Sequence, residues 1–334
     1  MRKKILLINF GGPRNVEEVA PFLKELLTDG DVIRTPLPNF IQNFLFKQIA
    51  RRRSKKIAED YQEIGGKSPI FEDTEWVAGA LRERGYDVLV FHRYLPATHD
   101  DFLEKAHEFI SEDTVVFPLF PQFSYATTGS IARWMDEHLC RRKSRILGWV
   151  KSYSEHKAFI KCFVRSINDL MQENGLAQKE TLLFFSPHGL PVSYVFEGDV
   201  YKRECEKSYT RIMESFQEVG SVIGYQSQFG RSEWIRPYTS ELADSIKDWN
   251  KGYANVVFIP LSFTSDHIET LFEVEQQYMK PVREAGFQAF RCPAFNRRAD
   301  WMDAIEEILK DADLTSTQML IRGKGDNCRC KPVL

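Results

Sequence analysis

Residues Phe263 to Glu275, Phe-Thr-Ser-Asp-His-Ile-Glu-Thr-Leu-Phe-Glu-Val-Glu, set an imidazole and a run of carboxylates in one turn and helix. They follow the apolar stretch Val256–Leu261 directly, at the strand end where open α/β sheets place their sites. About 80 residues earlier, His188 follows an equally apolar stretch in Phe-Phe-Ser-Pro-His-Gly-Leu-Pro. Two strand-end histidines and a carboxylate can bind a divalent cation or move protons.

A plainer account exists for each residue. Pro187 and Gly189 suit a tight turn that His188 would merely cap. Ser265 or Asp266 can N-cap the helix, and Asp266 and Glu269 have capping-box spacing, which leaves Glu273 as a solvated residue. Against this, Glu269 and Glu273 are i,i+4 on one helical face that Gln276 continues, with Ile268, Leu271, Phe272 and Tyr278 as the apolar side. Such a row of like charges destabilises a helix unless cations or water answer it. On a regular α-helix, His267 and Glu269 stand roughly 200° apart and cannot share one ion. The expected pair is therefore His188 with Glu269, meeting across a cleft, while His267 orients or relays.

These residues require a scaffold of short buried strands. Apolar runs at Lys4–Phe10, Tyr86–Phe91, Thr114–Leu119, Thr181–Ser186, Val222–Gln226 and Asn255–Leu261 read as strands. Helical periodicity fills Val16–Leu27, Asp101–Ile110, Ser130–Cys140, His156–Gln172, Val200–Val219, Ser240–Trp249, Ile268–Glu284 and Trp301–Lys310. Continuous apolar strands alternating with helices predict doubly wound α/β architecture with parallel sheets. The run Val115–Leu119 is echoed by Val256–Leu261, and Ile5–Pro13 by Leu182–Gly189. If the echo reflects duplication, two similar Rossmann-like halves meet near residue 150 with a cleft between them. The expected divisions are 1–152, 153–312 with His188 and Glu269, and a tail at 313–334. Residues 36–64 break the pattern: Phe40, Ile41, Phe44, Leu45 and Ile49 form an apolar stripe before a cationic run that includes Arg53. The stripe is either a packed helix or a lip (36–49) over a large flat ligand or a membrane surface.

Composition removes other classes. The 334 residues carry a formal charge of −2 with acids and bases intermixed, which argues against nucleic-acid binding. No apolar run approaches the roughly 18 residues of a membrane span. The start, Met-Arg-Lys-Lys-Ile-Leu-Leu-Ile-Asn-Phe-Gly-Gly-Pro, reads as a first strand rather than a signal peptide. Scattered cysteines fit a reducing cytoplasm. Asn9-Phe-Gly-Gly-Pro13 lacks the glycines of a dinucleotide fingerprint, and no Walker lysine motif occurs. Cys328 and Cys330 are too few for a zinc or iron–sulfur site.

Taken together, the motifs resemble the ferrochelatase family, from Asn9 to about Trp301. The carrying residues are Asn9–Pro13, Ile64-Gly-Gly-Lys-Ser-Pro-Ile70, Arg93-Tyr94, Pro121–Ser130, Phe185–Pro191, Tyr225-Gln-Ser227 with Trp234, and Phe263–Thr270. The resemblance implies the chelatase fold and insertion of Fe²⁺ into a porphyrin late in haem synthesis. Protoporphyrin IX is the favoured ring. Coproporphyrin III, a cobalt chelatase acting on a sirohydrochlorin-like ring, and a haem or metal carrier on the same scaffold are the alternatives.

By motif, His188 and Glu269 become the catalytic iron-site pair, with Glu273 as a further oxygen ligand or proton path and Asp266 and His267 in support. Phe10, Arg93, Tyr94 and Trp234 would surround the macrocycle. Arg53, Tyr61 and Ser68 would meet its propionates, and the lip would cover the ring or touch a membrane peripherally. Rigid walls that bend the ring expose a pyrrole lone pair to the metal. A neutral imidazole can then accept the departing protons. Iron is a substrate, and no redox cofactor is implied. This chain departs from the family where Tyr125 and the two tail cysteines speak against a [2Fe–2S] cluster, and where Gly189 replaces a frequent serine.

Overall fold

The computed structural model describes residues 3–35, 38–228, 230 and 232–323. The chain divides into two compact units, the first running to Ser152 and resuming at Leu309, the second spanning Tyr153–Ile308. The first unit holds β1 (Lys4–Asn9), β2 (Asp87–His92), β3 (Thr114–Pro118), β4 (Gly148–Val150) and, from the returning segment, β9 (Leu314–Ser316). Its strand order is β2-β1-β3-β4-β9. The second unit holds β5 (Thr181–Phe185), β6 (Gly220–Ile223), β7 (Asn255–Ile259) and β8 (Gln288–Arg291), in the order β6-β5-β7-β8.

The orders β2-β1-β3-β4 and β6-β5-β7-β8 are the same, and all pairings within them are parallel. The echo of Ile5–Pro13 in Leu182–Gly189 joins β1 to β5, and that of Val115–Leu119 in Val256–Leu261 joins β3 to β7. Burial explains why those strings read as strands. Every residue of β5 and β7 is buried, as a parallel sheet covered on both faces demands.

Three strands carry too little pattern to be read from sequence. β4 and β9 span three residues each, and β8 is only partly buried. Residues 313–323 are accordingly not a tail. Thr315 pairs antiparallel with Trp149 across β9 and β4, and Trp149 Nε1 donates to Thr317 Oγ1 at 3.0 Å. The first sheet thus ends in an antiparallel strand. Cys328 and Cys330 lie outside the described residues.

Both sheets reverse strand order around their first strand, between β1 and β3 and between β5 and β7. A crevice opens at such a switch point beyond the carboxyl ends of the strands. In the second unit it is bounded by the loop after β5, which carries His188, and the turn after β7, which carries His267 and Glu269.

The helix after β7 is not regular. Residues Glu269–Tyr278 form a π-helix, which passes into an α-helix at Met279–Glu284, and the Met279 amide donates back to the Val274 carbonyl five residues earlier. Thr270, Val274 and Tyr278 are its buried positions, a stripe at every fourth residue. The wider i→i+5 winding takes more residues per turn than the 3.6 of an α-helix, so positions four apart stay near one face while those seven apart do not. The same winding carries the Glu269–Glu273 step on toward Gln277 instead of Gln276. Of the apolar side expected, only Tyr278 is buried, since Ile268, Leu271 and Phe272 are partly open. A shorter π-helix, Tyr125–Gly129, occupies the matching place after β3.

The long helix Asn39–Glu63 turns Phe46 and Ala50 inward and leaves Phe40 at 74% and Phe44 at 68% exposure. The apolar stripe therefore faces outward. Among the described residues no helix is long and apolar enough to cross a membrane.

Candidate active site

His188 is held by its own backbone. Its amide donates to Ser262 Oγ at 3.1 Å, and it bridges Gln226 as a short parallel extension of β5 and β6. Its Nδ1 lies 2.5 Å from the Gly189 carbonyl, so Nδ1 carries the donated hydrogen. The neutral ring therefore presents a lone pair at Nε2, which faces Glu269 Oε2 at 3.7 Å. Both residues belong to the second unit, so the expected pair forms within that unit, over the β5–β7 crevice.

His267 corrects the expectation. Its Nε2 stands 3.6 Å from the same Glu269 oxygen. The roughly 200° separation assumed a regular helix, but the chain is not yet helical at His267 and becomes so only from Ile268. The capping box is absent as well. Ile268 is the N-cap residue without a side-chain bond, and Asp266 instead accepts from Thr270 Oγ1 at 2.8 Å, Arg291 Nη1 at 2.7 Å and Asn296 Nδ2 at 2.7 Å. Asn296, at φ +45°, returns its Oδ1 to the Asp266 amide at 2.7 Å. Thr270 Oγ1 also receives the His267 amide at 3.0 Å.

Neither imidazole distance to Glu269 is a hydrogen bond. Glu269 Oε2 and His267 Nδ1 are buried polar atoms without a partner. Such an oxygen between two imidazoles suits an arriving proton or cation. Burial alone would raise the Glu269 carboxyl, but His188 and then His267 outweigh it and hold it below the ordinary carboxylate range.

Glu273 behaves oppositely. Burial first and the Glu269 charge second push its carboxyl up, and the Ser227 hydroxyl, which donates to Oε2, offsets only part of this. Ser227 sits at φ +64°, and its amide contacts the Tyr278 hydroxyl oxygen at 3.2 Å. Among the described residues no three His, Cys, Asp or Glu side chains are grouped to hold a metal ion.

Trp234 packs beside His188 with ring centroids 6.3 Å apart. A Cβ on Gly189 would lie 2.9 Å from the Gln226 carbonyl oxygen and 3.1 Å from the Trp234 ring. Glycine at 189 is therefore what lets the His188 loop close on Trp234.

In the first unit, Phe10 is partly exposed against Tyr94, with centroids 4.5 Å apart. Tyr94 and Arg93 are buried and bound to Asp29, while Arg93 Nη1 has no hydrogen-bond partner. Arg93 Nη2 donates to Asp29 Oδ2 at 2.7 Å, Tyr94 OH donates to the same oxygen at 2.9 Å, and Ser130 Oγ joins them at 2.5 Å. Tyr61 and Ser68 are buried at 2% exposure each, while Arg53 is exposed on the long helix.

Sequence reading missed Asp29, Ser262, Arg291 and Asn296, and it quoted Ser227 within a motif without giving it a role. Only Arg291-Cys-Pro and Asp29-Gly-Asp, a charge at a strand end and at a turn, hint at them.

Comparison with known proteins agrees with this geometry. The Ferrochelatase family profile matches residues 2–313. The chain is 39% identical to the ferrochelatase of Chlamydia abortus over 318 residues, covering 95% of this chain and 98% of the relative. It is 36% identical to that of Chlamydia pneumoniae, covering 95% of each. Among solved structures it resembles SirB from Bacillus subtilis with Fe3+ (TM-score 0.55, 12% identity, 93% and 95% covered). It also resembles CbiX, the terminal enzyme for biosynthesis of sirohaem in denitrifying bacteria (TM-score 0.51, 12% identity, 92% and 98% covered). The last two carry the chelatase fold alone. With a profile spanning both units and relatives matched almost end to end, this chain belongs to the ferrochelatase family.

Proposed function

We propose that the chain inserts Fe²⁺ into protoporphyrin IX, releasing two protons, in a late step of haem synthesis, and that His188 and Glu269 carry the reaction. The observation that supports the roles is the unpartnered Glu269 Oε2 facing His188 Nε2 at 3.7 Å and His267 Nε2 at 3.6 Å.

Iron and porphyrin are both substrates. Each of two pyrrole N–H groups must give up its proton as the nitrogens take the metal, and no electron is exchanged. With Nδ1 committed to the Gly189 carbonyl, His188 accepts a proton at Nε2. Glu269 stabilises the imidazolium and supplies a hard oxygen for iron shedding water. Glu273, whose carboxyl is raised, holds a proton more readily than an ordinary glutamate and suits the outgoing path by way of Ser227. Phe10, Trp234 and Arg53 remain in the proposal as contacts for the ring and its propionates, with Tyr94 and Arg93 supporting Phe10. Phe40 and Phe44, exposed and apolar, are proposed for the vinyl-bearing side of the ring or peripheral membrane contact.

The deciding experiment is anaerobic turnover of purified protein with protoporphyrin IX and with coproporphyrin III at matched Fe²⁺. Faster kcat/KM on coproporphyrin III would reassign the ring. Haem binding without turnover on either would make the chain a carrier.

A further inference from the structure

The acids between Asp266 and Glu275 are not equivalent, and one guanidinium separates them. Arg291 closes β8, where it is registered against Phe258 of β7, so its backbone is part of the sheet. Its Nη1 donates to Asp266 Oδ1 at 2.7 Å and its Nε to Glu275 Oε1 at 2.6 Å. The side chain is 12% exposed and ties the turn before the π-helix to the helix's second half. Asp266, at 9% side-chain exposure, has two further donors, Thr270 and Asn296. Its oxygens are therefore occupied and its charge answered. Glu269 has no such partner, and Glu273 has only the neutral hydroxyl of Ser227.

We infer that Arg291 is a positioning residue for iron insertion, acting through Asp266 and Glu275 with Asn296 as its second arm. It does two things. It holds the 264–267 turn in the non-helical form that brings His267 and Glu269 together, because Asp266 is the residue just before His267. It also withdraws the outer two carboxylates from competition for Fe²⁺, leaving the inner two as the only acids in the segment without a cation. A planar fork suits this bridge because it reaches two carboxylates at once, which a lysine ammonium does poorly.

This inference rests on the proposed roles of His188 and Glu269, and the test separates the two. Full-length Arg291→Gln and Arg291→Lys are compared with wild type in three measurements. These are anaerobic insertion kinetics, thermal melting, and Co²⁺ titration followed by d–d absorption without porphyrin. Removing the hydrogen-bond partner of a group that orients metal-binding residues costs roughly 10–100-fold in activity or metal affinity. Arg291→Gln should therefore lose kcat in that range while KM for porphyrin stays within about two-fold. It should also bind additional Co²⁺ at the carboxylates that lose Arg291, Asp266 and Glu275, and adding Asp266→Asn and Glu275→Gln to it should remove that extra binding. Arg291→Lys should fall between, and millimolar guanidinium should restore part of the Arg291→Gln rate.

Wild-type kcat in Arg291→Gln, or lost kcat with an unaltered Co²⁺ titration, overturns the inference. Should that variant fail to fold, Asn296→Gly serves instead, since glycine accepts φ +45° and only the two Asp266 bonds are lost. The same kcat loss is expected there, and a wild-type rate overturns the inference. If His188→Ala retains insertion, the underlying site assignment fails; if His188→Ala is inactive while Arg291→Gln is not, only the present inference fails.

Discussion

Replacing Glu269 with glutamine keeps the side chain's shape and removes its charge, so the loss measures what the charge does for a proton or cation at His188 Nε2. At about 4 Å, a unit pair interacts by about 4 kcal/mol at an effective dielectric constant near 20. Here the separation is 3.7 Å, and the His188 and Glu269 side chains keep 32% and 24% exposure. Water therefore screens part of the field, and halving the figure gives about 2 kcal/mol, or roughly a 30-fold fall in kcat. The assay is anaerobic haem formation from Fe²⁺ and porphyrin, followed by loss of porphyrin fluorescence across a porphyrin concentration series. KM for porphyrin should change by no more than about two-fold, since the charge acts in the insertion step and not on ring binding. The His188→Ala and Glu269→Gln effects should also be strongly non-additive, because each removes the same pair. A Glu269→Gln rate within about three-fold of wild type, or two effects that simply multiply, would refute the reasoning.

Three further outcomes follow from the same geometry. Gly189→Ala puts a Cβ 2.9 Å from the Gln226 carbonyl oxygen, so overpacking should lower stability by about 1–3 kcal/mol in urea unfolding and slow insertion through the displaced His188 loop. Asp29→Asn leaves the buried Arg93 guanidinium without its counter-charge and should cost roughly 3–5 kcal/mol, read as a lower urea midpoint at unchanged slope. The raised Glu273 carboxyl contributes stability that is fully present below the ordinary glutamate range and is lost as pH rises through its raised value, because the native state then holds a proton the unfolded chain has released. Melting temperature should therefore fall less between pH 5 and pH 8 in Glu273→Gln than in wild type.

The sequence by itself determined the strands that build the two switch points. β1, β3, β5 and β7 are uninterrupted apolar strings because both faces of a parallel sheet are covered, and burial of that kind is written in every residue. The histidine and carboxylates that end β5 and β7 were legible for the same reason: polar groups just beyond an apolar strand have a fixed place. Tertiary structure decided what those groups do. His267 reaches Glu269 because Asp266, Asn296 and Arg291 hold a turn where helical spacing would separate them, and Asn296 and Arg291 are 30 and 25 residues away from Asp266 in the chain. The π-winding that aligns Glu269 with Glu273 depends on packing of Thr270, Val274 and Tyr278 against the sheet, which i,i+4 spacing alone does not distinguish from an α-helix. The motif alone places Arg93 and Tyr94 at the ring, and it says nothing of Asp29, 64 residues away in sequence from Arg93, which holds both in a buried network. Local pattern specifies which residues can be buried or charged, whereas partners distant in the chain settle which charges are answered and which stay free to react.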